Sequence, residues 1–247
     1  MEMEVTFFLN QATKLLLLYI IQYSCGLLVV NGKIKVNYTR KINHFFIFLI
    51  PIYLDRVFAY EETYGLFAIG TIASAAILLI YIKPIRERVP VIGIMFSSFD
   101  RPEDRPYTLL WLTTQVLAGF LVIAPLAILY ALNDLLHLIM IPVLINGIGD
   151  GLAEPVGVRF GRHKYRVRAI FTNRWYYRTL EGSACVFVTT MAVIAAHQVY
   201  FTPLQLVLAL TIYPAVMTLA EAFSPHTWDT PFLFAAGYLS LFGIMLV

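Results

Sequence analysis

The sequence predicts an all-α integral membrane protein with about eight transmembrane helices, organised as a single domain over residues 1–247. Composition is the first reason: 60% of the 247 residues are apolar and only 13% are charged, whereas soluble domains average about 45–50% and about 25%. A water-soluble globule has too little interior to bury that much apolar surface. The second reason is that the charged residues form short clusters between long apolar runs.

The apolar runs define the predicted helices, because a membrane-spanning helix needs roughly 20 mainly apolar residues. Eight segments are assigned as spans: 8–30, 42–60, 64–82, 107–132, 134–150, 183–201, 204–223 and 230–247. The second is the weaker in apolar length, and the fifth runs into a cluster of glycines. The chain begins with acidic residues rather than the basic residues of a signal peptide, so we expect the first segment to remain as a span.

Lysine and arginine are distributed unevenly among the loops. Sixteen of the 18 fall in the segments 31–41, 83–106 and 149–182, which follow the first, third and fifth predicted spans. Cytoplasmic loops carry the excess of Lys and Arg, so these loops are predicted to face the cytoplasm and both termini to lie outside. No folded basic domain lies outside the predicted spans, so no nucleic-acid partner is expected. The lack of a transit peptide favours a bacterial plasma membrane.

A glycine-rich segment, Asn146 to Gly161, contains the strongest candidate site. It predicts a broken helix that ends around Gly149–Gly151, with a second helix starting near Pro155, because proline fits the first turn of a helix. Free N–H groups at a helix N-terminus bind anions. Two carboxylates four residues apart, Asp150 and Glu154, can converge on one Mg²⁺. The segment therefore suits a nucleoside triphosphate and its metal.

Simpler explanations exist for both features of this segment. Glycines in membrane helices often serve only close helix packing. The basic residues that follow are often only a signal for membrane orientation. An acidic pair beside glycines at the end of a span is harder to explain in this way, since ionisable groups at membrane depth usually serve function. Jointly, these features favour a site.

Further polar clusters fall on the same predicted face. Arg40, Lys41 and His44 open the second span, and Arg101 and Arg105 lie in the polar loop 97–106. The segment from Arg178 through Glu181 to Ser183 precedes the sixth span. Glu221 is the one carboxylate that falls inside a predicted span, and Asp229 follows it before the last span.

In this order, the motifs resemble those of the CTP-dependent lipid-alcohol kinases. That family comprises phytol, farnesol and dolichol kinases and CTP-dependent diacylglycerol kinase, and is related to phosphatidate cytidylyltransferases. The matching segments span about 40–231 and are Arg40–His44, Arg101–Pro106, Gly149–Lys164, Arg178–Ser183 and Glu221–Pro225. The last motif continues to Pro231, where the family usually has an Asp-Asn pair before the proline and this chain has only Asp229. Glu154 stands where the family commonly has Asp, and Arg178 where Lys is more usual.

The resemblance implies phosphoryl transfer from CTP to a long-chain isoprenoid alcohol such as phytol, geranylgeraniol or a polyprenol. Composition and spacing by themselves indicate only an anion and metal site that faces the cytoplasm. The catalytic candidates are Asp150, Glu154, Glu221 and His44, and the Mg²⁺ candidates are Asp150, Glu154 and Asp229. The candidates for binding CTP are Gly147, Gly149, Gly151, Gly157, Arg159, Arg162, Lys164, Arg178, Glu181, Ser183, Arg40, Lys41, Arg101 and Arg105.

Three alternatives stay open. A phosphatidate cytidylyltransferase would use the same CTP but release pyrophosphate, and a CTP-dependent diacylglycerol kinase would differ only in its acceptor. A transporter is the more distant alternative, because broken helices also form transport sites. Transport sites lie near the membrane midplane, whereas the charged residues of this chain lie at one predicted rim.

Overall fold

The computed structural model describes residues 2–60 and 63–247; Met1, the first residue of the acidic leader, lies outside the described residues. Within this part the chain is mostly helical and divides into two compact units, Met1–Thr113 and Thr114–Val247. The helices are α1 Glu2–Val30, α2 Val36–Val57, α3 Tyr64–Ala76, α4 Lys83–Arg88, α5 Pro90–Ser97, α6 Thr108–Leu132, α7 Met140–Leu144, α8 Gly151–Phe160, α9 Leu180–Ala196, α10 Pro203–Phe223 and α11 Asp229–Met245. The assignment of one domain stays a prediction.

The helices bear out an α-helical membrane protein. Helices occupy all eight predicted segments, and four in the described part of the chain are long and apolar enough to cross a bilayer: Val5–Val30, Thr108–Leu132, Leu136–Phe160 and Pro203–Phe223. Their outward side chains are apolar, as with Leu121, which is 77% exposed. Exposed leucines of this kind fit lipid rather than water as the surrounding solvent. The number of eight spans stays a prediction.

In the first unit, α1 is the central element and packs against α2 and α5. Lys14 on α1 forms an ion pair of 2.6 Å with Asp55 on α2. Gly26 lies so close to α5 that a Cβ atom there would be 2.0 Å from the carbonyl oxygen of Ile94. An aromatic cluster around Tyr81, Phe96 and Phe99 fills the space beside these helices. The backbones of α1 and α5 are therefore in direct contact at Gly26.

In the second unit, α9 and α10 pack against each other, with α8 on one side and α11 on the other. The core contains fully buried tyrosines, and the hydroxyls of two of them donate hydrogen bonds to backbone carbonyls. Tyr130 donates to the carbonyl of Tyr238, and Tyr238 donates to that of Ile139, each at 2.8 Å. Of the four candidate spans, Leu136–Phe160 is the most enclosed, with 56% of its apolar window buried. This helix carries the glycine-rich segment.

A two-stranded antiparallel hairpin joins α8 to α9, and the sequence analysis did not predict it. Its strands are β1 Lys164–Arg168 and β2 Trp175–Thr179, with Tyr165 opposite Arg178 and Arg166 opposite Tyr177. Alternating Tyr, Val and Trp residues in these ten positions are typical of strands. The sequence analysis assigns the basic residues among them to a loop, with Lys164 and Arg178 as candidates for binding CTP. The fold is thus helical with one short β-hairpin.

The helix through the glycine-rich segment is continuous, so the predicted break was wrong. After α7 the hydrogen-bond spacing widens into a π-helix over Ile145–Asp150, and α8 follows at once from Gly151. Pro155 lies inside α8 rather than at the start of a new helix. Proline removes only one intrahelical hydrogen bond, and the packing of α8 against α9 holds the helix together.

Candidate functional site

The ends of three helices of the second unit, α9, α10 and α11, meet around one largely buried guanidinium. Arg178, at the end of β2 and just before α9, donates from Nη1 to Oε1 of Glu221 at 2.9 Å. Its Nη2 donates to Oδ1 of Asp229. Glu221 lies in the last turn of α10 and Asp229 in the first turn of α11, and the two residues are only 4% and 8% exposed. Buried carboxylates of this kind require a charged partner.

Three hydroxyl groups complete this arrangement. Ser183, in the first turn of α9, donates to Oε2 of Glu221 at 2.8 Å. Ser224 donates to Oδ1 of Asp229 at 2.7 Å. The hydroxyl of Tyr165 on β1 lies 2.7 Å from that of Ser183. We call the six residues the Arg178 cluster: Tyr165, Arg178, Ser183, Glu221, Ser224 and Asp229.

The hairpin and a helix cap fix the geometry of the cluster. Tyr165 and Arg178 are directly opposite each other in the hairpin, so both side chains project from the same face of the two strands. Thr179 then caps α9, its hydroxyl accepting the N–H of Gly182 at 3.1 Å. The cap starts the helix at Leu180 and places Ser183 in its first turn. Strand alternation and helix capping together therefore bring these side chains to one point.

Burial and charge affect the groups of the cluster that lie outside the spans. Burial alone would lower the pKa of the Arg178 guanidinium, but Asp229 and then Glu221 outweigh it, so that the pKa lies above its usual range. Burial raises the pKa of Tyr165 to about 12, and the nearby carboxylate of Glu221 contributes in the same direction. Arg178 therefore stays charged and Tyr165 stays a neutral hydroxyl across the physiological pH range.

Asp150 lies at the edge of this cluster. It ends the π-helical segment, is 3% exposed, and is close enough to interact electrostatically with both Arg178 and Glu221. One positive side chain, Arg178, lies among three negative ones, and the four together carry a formal charge of −2. The negative side chains are Asp150, Glu221 and Asp229. Glu154 follows one turn later on α8 and is half-buried. The structure thus brings together carboxylates from three separate stretches of the sequence.

The glycines do not form the predicted phosphate cradle. Within the π-helix and α8, the backbone N–H groups of Gly147, Gly149 and Gly151 belong to a continuous helix. Helical N–H groups donate to carbonyls of their own helix beyond the first turn, so these amides are not free for CTP. The expected free amides are therefore not found, and CTP binding at these glycines stays a prediction.

Close helix packing explains several of these glycines instead. A Cβ atom at Gly149 would lie 3.2 Å from the Cα of Val186 on α9. One at Gly157 would lie 2.8 Å from the hydroxyl of Thr179, and one at Gly161 would lie 2.4 Å from the methyl carbon of the same residue. The simpler explanation that the sequence left open therefore holds for these positions.

Except for Arg178, the predicted basic residues of the second unit lie outside the Arg178 cluster. Arg159, Arg162 and Lys164 are exposed. Lys164 stands next to Tyr165 on β1, and neighbouring residues of a strand point to opposite faces. Lys164 therefore projects away from Arg178.

Glu181 also has a local partner. Its carboxylate lies 2.8 Å from the ring Nδ1 of His163. The pKa of Glu181 is lowered to about 2, first because its own backbone N–H donates a hydrogen bond to the carboxylate and then because of the hydrogen bond with the His163 ring. This pair closes the base of the hairpin. The segment Arg178–Ser183 contains three candidates. Arg178 and Ser183 belong to the Arg178 cluster, and Glu181 does not.

The remaining candidates belong to the first unit. Lys41 and Arg101 are buried, at 4% and 5% exposed, while Arg40 and His44 are half-buried and Arg105 is exposed. Arg101 donates from Nε to Oδ2 of Asp104 at 2.7 Å, and Arg105 donates to Oδ2 of Asp100 at 2.8 Å. The ring of His44 packs beside that of Phe48, with centroids 4.9 Å apart.

Hydrogen bonds tie the start of α2 to the loop after α5. Thr39 donates to the carbonyl of Ser98 at 2.7 Å, and Asn43 donates to the Ser98 hydroxyl at the same distance. The sequence analysis missed Thr39, Asn43 and Ser98, as it missed Tyr165 and Ser224 as site residues. Thr39 and Asn43 lie four apart on α2, beside the Arg40–His44 motif, and this spacing was the available signal.

No family model, curated protein or solved structure matches this chain. Among the residues that the structure describes, no group of three or more His, Cys, Asp or Glu side chains is arranged to hold a metal ion. The site therefore has to be interpreted from its own chemistry.

Proposed function

We propose that the chain is a CTP-dependent kinase that phosphorylates a long-chain isoprenoid alcohol. It acts at the cytoplasmic face of a bacterial plasma membrane, which it crosses eight times with both termini outside. The observation that carries this proposal is the Arg178 cluster. Residues of both late motifs, Arg178–Ser183 and Glu221–Asp229, are in direct contact there, and Asp150 of the glycine-rich segment is close by.

The donor set suits Mg²⁺ bound to a nucleotide. Mg²⁺ prefers oxygen ligands and commonly takes only one or two protein carboxylates beside the phosphates. Asp150 and Glu154 would hold the ion, with Asp229 as a third candidate. A divalent cation would also balance the formal charge of −2 on Asp150, Arg178, Glu221 and Asp229. When bound, the ion neutralises charge on the phosphates.

Arg178 would face the transferred phosphoryl group. Phosphoryl transfer depends mainly on positioning and charge neutralisation, and a guanidinium held on two carboxylates is well fixed. Glu221 would orient or deprotonate the acceptor hydroxyl. Its two oxygens already accept from Arg178 and Ser183, but a carboxylate oxygen has two lone-pair sites and can accept a further hydrogen bond.

A groove on the second unit suits the tail of the acceptor. It encloses about 240 Å³ and is lined by residues of α8 and α9: Leu152, Glu181, Ala184, Cys185, Val188 and Thr189. Most of this lining is apolar, as an alkyl chain requires. In this proposal the hydroxyl at the end of such a chain reaches Glu221, which accepts a hydrogen bond from Ser183 on the same helix α9.

The test is to incubate the purified protein in detergent with γ-labelled CTP, Mg²⁺ and a panel of lipid alcohols, with diacylglycerol and phosphatidate included. We expect label to pass to an isoprenoid alcohol and CDP to be released. The same assay compares the site variants Asp150→Asn and Glu221→Gln with the control Glu87→Gln. Glu87 is also a carboxylate, but it lies on α4 and is exposed. The activity of the control should equal that of the wild type.

Other outcomes would replace the proposal. Pyrophosphate release with phosphatidate would identify a cytidylyltransferase, and label on diacylglycerol would identify the other kinase. Movement of a lipid substrate across liposomes without any nucleotide would favour a transporter.

A further inference from the structure

The hairpin between α8 and α9 has one face that the proposed function does not use. Lys164, Arg166 and Arg168 alternate along β1, and Trp175 and Tyr177 alternate along β2. Arg166 lies opposite Tyr177 and Arg168 opposite Trp175, so these side chains share one face, which we call the outer face. Trp175 and Tyr177 are 60% and 62% exposed. Three cations and two large aromatic rings are thus presented to the surroundings.

The opposite face fixes the hairpin to the second unit. Val167 is buried there. Tyr176 stacks on His226 with ring centroids 3.5 Å apart and planes inclined by only 6°. The N–H of His226 also donates to the carbonyl of Arg168 at 3.0 Å. The outer face is therefore held in a defined direction.

Chain connectivity places the hairpin at the surface of the bilayer. Three residues separate β1 from Phe160, the last residue of the candidate span Leu136–Phe160, and α9 follows β2 directly. The strands are five residues long, or about 17 Å at the usual rise per residue. An element this short, joined at both ends to apolar helices, stays within the headgroup region or its immediate neighbourhood. The loop between its strands presents Phe171, which is 61% exposed.

We propose that the outer face binds the phosphate groups of anionic phospholipids and anchors the hairpin to the membrane surface. Trp and Tyr are enriched where the membrane meets water, since their rings sit at the level of the headgroups. Lys and Arg near an anionic leaflet are attracted to it electrostatically. On the outer face the two residue types lie side by side, with the cations on β1 and the aromatic rings on β2. The ligand is a phosphodiester headgroup with a net negative charge.

This role does not depend on what the Arg178 cluster binds. Lys164 projects away from the Arg178 cluster, and Arg166 and Arg168 share its face, so these cations are available to lipid whatever the cluster binds. The inference therefore holds or fails separately from the proposed kinase activity.

The first experiment measures where Trp175 lies. The wild-type protein and Trp175→Phe are placed in nanodiscs whose lipids carry a spin label on the headgroup. The difference between the two fluorescence signals isolates Trp175 from the other tryptophans. We expect that signal to be quenched by the headgroup label and protected from aqueous iodide. Free access of iodide without headgroup quenching would overturn the proposal.

The second experiment measures lipid preference. Dihexanoylphosphatidylglycerol and dihexanoylphosphatidylcholine are titrated into the detergent-solubilised protein, with thermal stabilisation as the readout. The triple variant Lys164→Gln/Arg166→Gln/Arg168→Gln should bind the anionic lipid at least about 10-fold more weakly, since each basic residue near an anionic surface contributes a several-fold factor. Binding of the zwitterionic lipid should not change. Salt should weaken the wild-type preference, because exposed charges are screened.

The control is Lys33→Gln/Lys35→Gln/Arg88→Gln, which removes three exposed charges outside the hairpin. It should keep the wild-type affinity for the anionic lipid. An equal loss in the control would mean that net charge alone is responsible and would overturn the proposal. So would a hairpin variant that keeps its lipid affinity but loses stabilisation by CTP and Mg²⁺. If the triple variant fails to fold, the Trp175 measurement decides.

Discussion

Arg178 on β2 and Glu221 at the end of α10 stand 43 positions apart in the sequence and form a buried ion pair of 2.9 Å. The same guanidinium also pairs with Asp229 at the start of α11. One side chain therefore ties the hairpin to the ends of two helices that follow α9. This arrangement makes Arg178 a residue on which the packing of the second unit depends.

Removal of this guanidinium should be costly. Arg178→Gln leaves Glu221 and Asp229 buried without their cation, and breaking a buried pair in this way typically costs about 3–5 kcal/mol. Arg178→Lys keeps the charge but cannot match two carboxylates with a planar fork, so we expect an intermediate loss. Thermal unfolding in detergent measures both. Arg166→Gln, an exposed arginine of the same hairpin, is the control, and an equal effect there would contradict the prediction.

Two glycines offer a matched pair of substitutions. A methyl group at Gly182 would lie 2.6 Å from the carbonyl oxygen of Ala153, whereas nothing lies within 4 Å at Gly243. Gly182→Ala should therefore force α8 and α9 apart and destabilise the protein by about 1–3 kcal/mol. Gly243→Ala should be neutral, or stabilising by up to about 1 kcal/mol through helix propensity. Equal unfolding temperatures for the two variants would argue against direct backbone packing of α8 on α9.

Asp150→Asn tests the proposed role of Asp150 as a Mg²⁺ ligand. The substitution keeps the shape of the side chain but removes its charge, and a lost metal ligand removes several kcal/mol of charge stabilisation from the transition state. We expect CTP turnover to fall more than about 100-fold and stabilisation by CTP and Mg²⁺ to weaken, while membrane insertion is unchanged. Near-normal turnover would reduce Asp150 to a packing residue.

Glu221→Gln separates the acceptor from the donor. A general base contributes typically about 10²–10⁴-fold, so kcat should fall strongly while thermal stabilisation by CTP and Mg²⁺ stays close to normal. The variant must first be shown to remain folded, because Arg178 and Ser183 both donate to this carboxylate. If the variant no longer binds CTP and Mg²⁺, Glu221 is a metal ligand and the base lies elsewhere.

Cysteine labelling tests the orientation. Lys35→Cys and Arg166→Cys should be shielded from an impermeant thiol reagent in intact cells and should react after permeabilisation. Val199→Cys should label in intact cells, because Val199 is 82% exposed and lies between α9 and α10 on the opposite predicted face. The wild type, whose Cys25 is buried and Cys185 half-buried, provides the background. The reverse pattern would remove the cytoplasmic assignment.

The sequence was sufficient to locate the helices, because uninterrupted apolar runs leave few alternatives to helices in lipid. It was misleading at the glycine-rich segment. Glycine and proline weaken an isolated helix, which made a break at Gly149–Gly151 the local expectation. The contact of Gly149 with α9 overrides that local preference, and no property of the segment alone reveals it.

The sequence predicted four of the six members of the Arg178 cluster, but not the contacts between them. Arg178, Glu221 and Asp229 were each identified from composition and order, but their pairing depends on how the hairpin turns Arg178 inward. Local periodicity could have predicted the hairpin from the alternation in Tyr165 and Val167. It could not have shown which carboxylates, more than 40 positions away, would meet the guanidinium.

The π-helical segment Ile145–Asp150 sets the rotational phase of everything that follows it. Each residue of an α-helix advances the side chains by about 100° around the axis, so the wider turn offsets the azimuth of α8 relative to α7. Helix α7 packs mainly against α11, whereas the π-helical segment and α8 pack mainly against α9. If the same six residues were wound as a regular α-helix, Asp150 and Glu154 would lie roughly a quarter-turn or more further around the axis, away from their present position near Arg178. The wider winding of this segment thereby sets the angular position at which both carboxylates are presented.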